Sequence, residues 1–238
     1  MGMTDHATGL HWSEPDGINP RATLVVLPGR GERPAVYERF GRRLSADGYR
    51  VHALGDASVD PEAVTAAVKT LLADDTLPAP HVLIGSDTGA LLASRLQATG
   101  TVRVAGLVLA GLPSGAGQAP RDWDEELASR TACPAHRKWI SDEQRLTPGA
   151  LAAIPETLRL DAELPAVDVP VLGVHGAEDP LSPLAGARAR YARLPRASLV
   201  AVAGGRHDAL NDATHRIAAA RIVLFVEELL GNTSEVLP

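Results

Sequence analysis

Aromatic side chains are scarce here: Phe, Trp and Tyr together make up 3% of 238 residues. A core built on large rings is therefore excluded. The 45% apolar content must fill it through Ala, Val and Leu. A single cysteine, Cys133, excludes an intramolecular disulfide, and its charged surroundings mark it as incidental. Lysine occurs only at Lys69 and Lys138, so arginine carries nearly all the positive charge. The net charge is −6 and no basic stripe appears, which removes the electrostatic basis for binding nucleic acid. No apolar run approaches the ~20 residues of a membrane span. The polar stretch Thr4–Asn19 lacks the apolar centre of a secretion signal. The eight histidines are scattered without paired ligand spacing, so no metal site is expected. No nucleotide fingerprint is present either. The expectation is a soluble, cytoplasmic protein without a cofactor that acts on a small molecule. Nucleic acid and membrane are not expected as partners, and the oligomeric state, a homodimer included, stays open.

What the chain does contain is an alternation of apolar runs and helical patterns, the pattern of a parallel sheet covered on both faces. Strands are expected at Thr23–Leu27, Arg50–Leu54, His81–Ile84, Val104–Leu109, Val169–Val174 and Ser198–Val202. Helices are expected at Ala35–Asp47, Pro61–Ala73, Thr88–Ala98, Leu184–Leu194 and Ala213–Leu230. The last carries an apolar stripe of Ile217, Ile222, Phe225, Val226 and Leu229. Leu10-His11-Trp12 reads as a short antiparallel edge strand. Between Leu109 and Val169 the alternation breaks. Helical pieces around Trp123–Thr131, Ala135–Ser141 and Pro148–Leu160 suggest a lid over the carboxyl ends of the strands. The expected division is a core of residues 1–112 and 168–238, with a helical lid at 113–167.

The segment Val82-Leu83-Ile84-Gly85-Ser86-Asp87-Thr88-Gly89-Ala90 is the most informative. A buried strand turns sharply through Gly-x-Asp-x-Gly into an Ala/Leu-rich helix. This is the layout of a nucleophile elbow with an acid at its apex. Gly85 and Gly89 answer the tight turn and the close helix–strand packing. Ser86, one residue before the apex, projects in another direction. The plain alternative is that Asp87 only caps the following helix.

Three further motifs follow strands. Pro28-Gly29-Arg30-Gly31-Glu32 can present backbone N–H groups as an oxyanion hole, with a second donor at Thr88. The loop His175-Gly176-Ala177-Glu178-Asp179-Pro180 offers Asp179 as the acid orienting a histidine, with Glu178 as the weaker competitor. Gly204-Gly205-Arg206-His207-Asp208 places His207 where a general base belongs. The chain order is nucleophile, acid, histidine, the order of the α/β-hydrolase fold. His175 and His215 are read as structural.

Together these motifs make the chain resemble an α/β-hydrolase-fold protein over essentially its full length. The loop after the first core strand, with Tyr37 downstream, is similar to that of the lysophospholipase and monoacylglycerol lipase branch. That resemblance implies oxyanion donors at Arg30 and Thr88 and a substrate-side role for Gly29 and Tyr37. Pro28 stands where that branch has His, and Asp87 where it has Ser. An acid at the apex resembles haloalkane dehalogenases and epoxide hydrolases. Those have Trp after the acid, where this chain has Thr88. The epoxide hydrolases use lid tyrosines, whereas residues 113–167 contain none. Trp123 and Trp139, the large aromatics of that stretch, either line the pocket or pack the lid.

The expected chemistry is an Asp87-His207-Asp179 triad acting on an epoxide or alkyl halide through a covalent alkyl ester. An alternative is ester or lactone hydrolysis, or a lyase or cyclase step, by water activation without that ester. A third is a non-catalytic ligand-binding member of the fold. Two carboxylates around one imidazole predict a protonated His207. Arg30, with Arg137 or Lys138, hints at a substrate with an anionic or carbonyl group.

Overall fold

The computed structural model describes residues 9–115, 117–142, 145–159 and 164–232. Seven strands form one sheet: β1 (Leu10–Trp12), β2 (Ala22–Leu27), β3 (Tyr49–Ala53), β4 (His81–Ser86), β5 (Gly106–Ala110), β6 (Val171–Gly176) and β7 (Ala197–Val202). Their spatial order is β1-β3-β2-β4-β5-β6-β7. All neighbours pair in parallel except β1, which runs antiparallel to β3 with Leu10 opposite Ala53. Every residue of β2, β5 and β6 is buried, as the unbroken apolar runs require of strands covered on both faces.

Seven helices flank the sheet or its insertion: α1 (Glu38–Ser45), α2 (Pro61–Leu72), α3 (Thr88–Ala98), α4 (Trp123–Arg130), α5 (Pro134–Ile140), α6 (Leu184–Tyr191) and α7 (His215–Leu229). Phe40 and Leu44 of α1 pack with Ile222, Phe225 and Val226 of α7 against one face. Val64 and Val68 of α2, Leu92 and Leu96 of α3 and Tyr191 of α6 cover the other. Burying a side chain of this size contributes roughly 1.5–3 kcal/mol, so two such layers hold the sheet without many rings.

The chain leaves β2 for β3 on one side, then returns to β4 on the other. The carboxyl ends of β2 and β4 therefore border a topological switch point, where open α/β sheets hold their ligands. The insertion between β5 and β6 carries α4 and α5. Its residues Arg145 and Thr147 exchange backbone hydrogen bonds with Arg33 and Gly31 of the loop after β2, around a bridge between Glu32 and Leu146.

Several expected elements differ in detail. The helix expected at Ala35–Asp47 is a 3-10 turn, Pro34–Tyr37, running into α1. The piece expected at Pro148–Leu160 is two 3-10 turns, Ala150–Ala152 and Glu156–Leu158. Gly149 at φ 78° and Pro155 interrupt it, and Leu160 lies outside the described residues. In α7, Ile217 is exposed, and Ala218 and Ala219 face the core in its place. Periodicity favoured the larger side chain, but the buried face passes one residue further on.

Candidate active site

The turn between β4 and α3 places Asp87 in a backbone conformation that few residues adopt. Its φ is 49° and its ψ −116°, the one non-glycine with positive φ among the described residues. Such strain costs on the order of 1–3 kcal/mol and persists where the surroundings over-determine it. The flanking glycines show what does so. A Cβ on Gly89 would lie 2.0 Å from the Leu27 carbonyl oxygen, and one on Gly85 2.4 Å from Ala90 Cα. The Asp87 side chain makes no capping hydrogen bond to α3, so helix capping does not explain the residue.

Asp87 faces His207 instead. His207 Nε2 lies 3.3 Å from Asp87 Oδ1, and its Nδ1 bonds Asp179 Oδ2 at 2.8 Å. Asp179 is fixed in turn, because its Oδ1 accepts from the Leu181 and Ser182 N–H groups at 2.8 and 3.0 Å. Glu178, the competing acid, is exposed. The structure thus brings Asp87, His207 and Asp179 into one line, all buried. Burial by itself would lower the His207 pKa. Asp179 and then Asp87 outweigh it and raise the value to about 10, so the imidazole is a cation at neutral pH. The Nε2 contact to Asp87 is an ion pair without hydrogen-bond geometry; Nε2 is buried with no hydrogen-bond partner.

Arg30 does more than its backbone suggested. Its N–H donates to Asp87 Oδ2 at 3.0 Å, as an oxyanion donor would. Its guanidinium also grips the same carboxylate, Nε on Oδ2 at 2.7 Å and Nη2 on Oδ1 at 3.0 Å. A carboxylate offers about four acceptor positions. Arg30 fills three, and the fourth looks toward His207. Burial pushes the Asp87 pKa up, but Arg30 and His207 overcome it and hold the carboxyl far below the usual range. Thr88 begins α3 beside this carboxylate, and its hydroxyl is buried without a partner.

A second buried cluster lies behind the oxyanion loop. Arg130, from α4, is fully buried. It donates to the Arg30 carbonyl at 2.7 Å and to Glu126 at 2.9 Å, and pairs with Glu32 at 3.5 Å and Asp208 at 3.7 Å. The His207 and Asp208 N–H groups bond the carbonyls of Ser129 and Arg130. The insertion is thereby bolted to the oxyanion loop and to the histidine loop together. Burial, then the Asp208 charge, raises the Glu32 pKa to about 8. Tyr37 donates to Glu32 at 2.5 Å and Gly29 N–H at 2.8 Å.

A cavity of about 480 Å³ borders Arg30 and His207. Leu91, Leu151, Ile154 and Leu181 give its lining apolar surface, and Arg159 and Arg190 also line it. Of the four residues assigned to the substrate side, none is among the residues that line this cavity, although Gly29 lies against Asp87. Gly29 and Tyr37 bind Glu32, Trp123 packs on the core, and Trp139 sits in an outer groove with Arg145 stacked 3.6 Å over its ring. Arg137 bonds the Thr131 carbonyl, so it offers the cavity nothing. Sequence reasoning missed Arg130, which no local motif marks. Asp208 and Glu32 had a weak signal, as acids inside the histidine and oxyanion loops. Among the described residues, no cluster of three or more His, Cys, Asp or Glu could hold a metal ion, and no helix is long and apolar enough to cross a membrane.

A seven-stranded sheet, a strained turn after its central strand and an aligned acid, imidazole and acid define a protein of the α/β-hydrolase class. The alpha/beta hydrolase family model matches residues 23–220, and the chain belongs to that family of hydrolases. Solved structures share its shape at low identity. A monoacylglycerol lipase from Paleococcus ferrophilus superposes with a TM-score of 0.73 at 16% identity, over 95% of this chain and 99% of that one. A soluble variant of the monoglyceride lipase from Saccharomyces cerevisiae gives 0.76 at 14%, over 93% and 91%. An esterase from Rhodococcus sp. gives 0.66 at 19%, over 93% and 99%. No curated protein matches the sequence.

Proposed function

We propose that the chain hydrolyses a small carbon electrophile, of the alkyl halide or epoxide type, through an alkyl ester on Asp87. The observation that carries this reading is the placement of the two carboxylate oxygens. Oδ2 already sits on the Arg30 N–H at 3.0 Å, and Oδ1 lies 3.3 Å from His207 Nε2. The oxyanion position is filled by the enzyme's own carboxylate, so a substrate ester cannot place its carbonyl oxygen there. This argues against carrying over the lipase and esterase activities of the structural neighbours. It suits a tetrahedral intermediate that forms on Asp87 itself.

In the first step Oδ1 forms a bond to carbon, and the leaving group departs with the electron pair. Arg30 Nη2 must release Oδ1 for this, while the Arg30 N–H keeps Oδ2. Esterification removes the Asp87 charge, one of the two that hold the proton on His207. The imidazolium then gives its Nε2 proton to the alkoxide of an opened epoxide, or to solvent beside a departing halide, and becomes a base. It takes a proton from water, which attacks Cγ of Asp87, and the charge on Oδ2 rests on the Arg30 N–H. Collapse breaks the Cγ–Oδ1 bond: His207 protonates the departing alkoxide to give the alcohol, and the new Asp87 carboxylic acid returns its proton to His207, which restores the carboxylate and the imidazolium. Asp179 keeps the ring oriented throughout. The insertion acts as a lid that keeps bulk water from the ester.

One observation favours a second reading. Three of the four acceptor positions of Asp87 are occupied by Arg30, which makes the carboxylate a poor nucleophile while that grip lasts. In that case Asp87 and Arg30 are a fixed ion pair and the cavity binds its ligand without a covalent step. A single turnover of a bromoalkane or terminal epoxide in heavy-oxygen water separates the two. Label in the Asp87 carboxylate, with an alkylated Asp87 accumulating in His207→Gln, supports the ester. Turnover without label, or no alkylation in His207→Gln, overturns it.

A further inference from the structure

Asp87 is not among the residues that line the cavity. Arg30 and His207 are, and both contact its carboxylate, which is itself buried. These two side chains therefore stand between the cavity and the acid, and they hold it differently. His207 approaches Oδ1 at 3.3 Å without hydrogen-bond geometry. Arg30 closes on both oxygens, Nε on Oδ2 at 2.7 Å and Nη2 on Oδ1 at 3.0 Å. Its third nitrogen, Nη1, donates to the Leu151 carbonyl at 3.2 Å. Leu151 belongs to the 3-10 turn Ala150–Ala152 of the insertion, and it lines the cavity too. One guanidinium thus joins the carboxylate to a residue that an occupant of the cavity would touch. The Arg30 N–H holds Oδ2 separately at 3.0 Å, so the oxyanion donor does not depend on where the side chain lies.

We propose that the Arg30 side chain is a shutter over Asp87, opened by an apolar chain that fills the cavity against Leu151. The proposal rests on the covalent reading above and adds what decides which molecules react. In the closed state Nη2 masks Oδ1 and no bond to carbon forms. A chain long enough to press on Leu151 shifts that turn, and Nε and Nη2 leave the carboxylate with it. Oδ1 then bonds to carbon, the carbon–halogen bond breaks, and the halide departs with the electron pair. The ester is neutral, so nothing draws the guanidinium back until hydrolysis restores the charge. A ligand shifts such an equilibrium only through its differential affinity for the two states, and contact with Leu151 supplies it here. Parting a buried ion pair is costly, so binding of the remote part of the substrate is spent on opening. Short molecules bind without opening the shutter, and the apolar length of the substrate sets its rate.

The test is single-turnover bromide release from bromoethane and from 1-bromohexane, with enzyme in excess, in the wild-type chain and in Arg30→Met. Methionine keeps the backbone N–H but offers the carboxylate no side-chain donor, and His207 remains beside Oδ1 as its counter-ion. The wild-type chain should release bromide faster from 1-bromohexane. In Arg30→Met release from bromoethane should rise at least about tenfold, a barrier lower by about 1.4 kcal/mol. Release from 1-bromohexane should change much less, so the preference for length shrinks. Should Arg30→Met fail to fold, Arg30→Lys, a cation with one nitrogen that cannot grip both oxygens, should show the same trend. Rates that fall together, stay unchanged or rise by the same factor would each overturn the proposal, as would the absence of bromide release from both compounds. The labelling experiment fails separately. Label in Asp87 with equal effects on the two compounds strikes the shutter alone, and a length-dependent gain without label strikes the ester alone.

Discussion

Raising the pH should remove a proton on which the native state depends. His207 has an ordinary value of 6.5, and between Asp179 and Asp87 it rises to about 10. A group whose folded pKa is raised contributes fully below its unfolded value and loses that contribution as pH climbs through the folded one. The window is therefore pH 6.5 to 10, and stability must fall across it. The difference corresponds to about 5 kcal/mol at most. The Coulomb energy has the right size: charges 2.8 Å apart at an effective dielectric of ~20 attract by about 6 kcal/mol, before the cost of burial. Glu32 acts in the same direction over a lower window, since its neutral form is favoured up to about pH 8. The comparison must therefore be by difference. Urea unfolding of the wild-type chain and of His207→Gln at half-unit steps from pH 6 to 10 gives the two profiles. The wild-type free energy should fall more steeply, with the excess spread across the window from pH 6.5 to 10. NMR of the imidazole nitrogens should show the cation at pH 7. A neutral ring at pH 7, or parallel stability profiles, would refute the reasoning.

Other consequences follow from the same contacts. Arg30→Gln leaves the buried Asp87 charge without its fork and should cost about 3–5 kcal/mol; adding Asp87→Asn should recover a good part, which a double-mutant cycle of chemical denaturation measures. Gly89→Ala drives a methyl into the Leu27 carbonyl at 2.0 Å and should destabilise by more than about 3 kcal/mol, read as a fall in thermal midpoint. Arg130→Met strands Glu126 and Asp208 in the interior. It should cost several kcal/mol and open the insertion to limited proteolysis before the sheet unfolds. Trp139→Ala, at a residue 38% exposed and outside the cavity, should leave turnover unchanged and reduce stability by less than about 1 kcal/mol.

How far the site was legible follows from how local its signals are. Asp87, Asp179 and His207 each stand in a short motif that ends a strand, and a strand's carboxyl end has one place to go in a parallel sheet. The protonated imidazole was likewise foreseeable, because two acids bracket one ring. Tyr37 and the two tryptophans were not legible, since a large side chain in a loop or insertion reads alike whether it meets ligand or core. The Arg30 side chain was the sharpest miss. Its backbone role was read from position, but a guanidinium can fold back onto its own loop's neighbours or extend into solvent.

Apolar periodicity and the order of the motifs determined the sheet, its two helical layers and the three residues at its carboxyl edge, because burial of alternating runs admits few arrangements. Tertiary structure alone decided that one arginine holds Asp87 by three donors and that another, from 100 residues away, ties the insertion to the loop after β2 and to the loop that carries His207 and Asp208. Those contacts join segments with no shared pattern. Their energy comes from charges brought together after burial, and spacing along a chain does not record it.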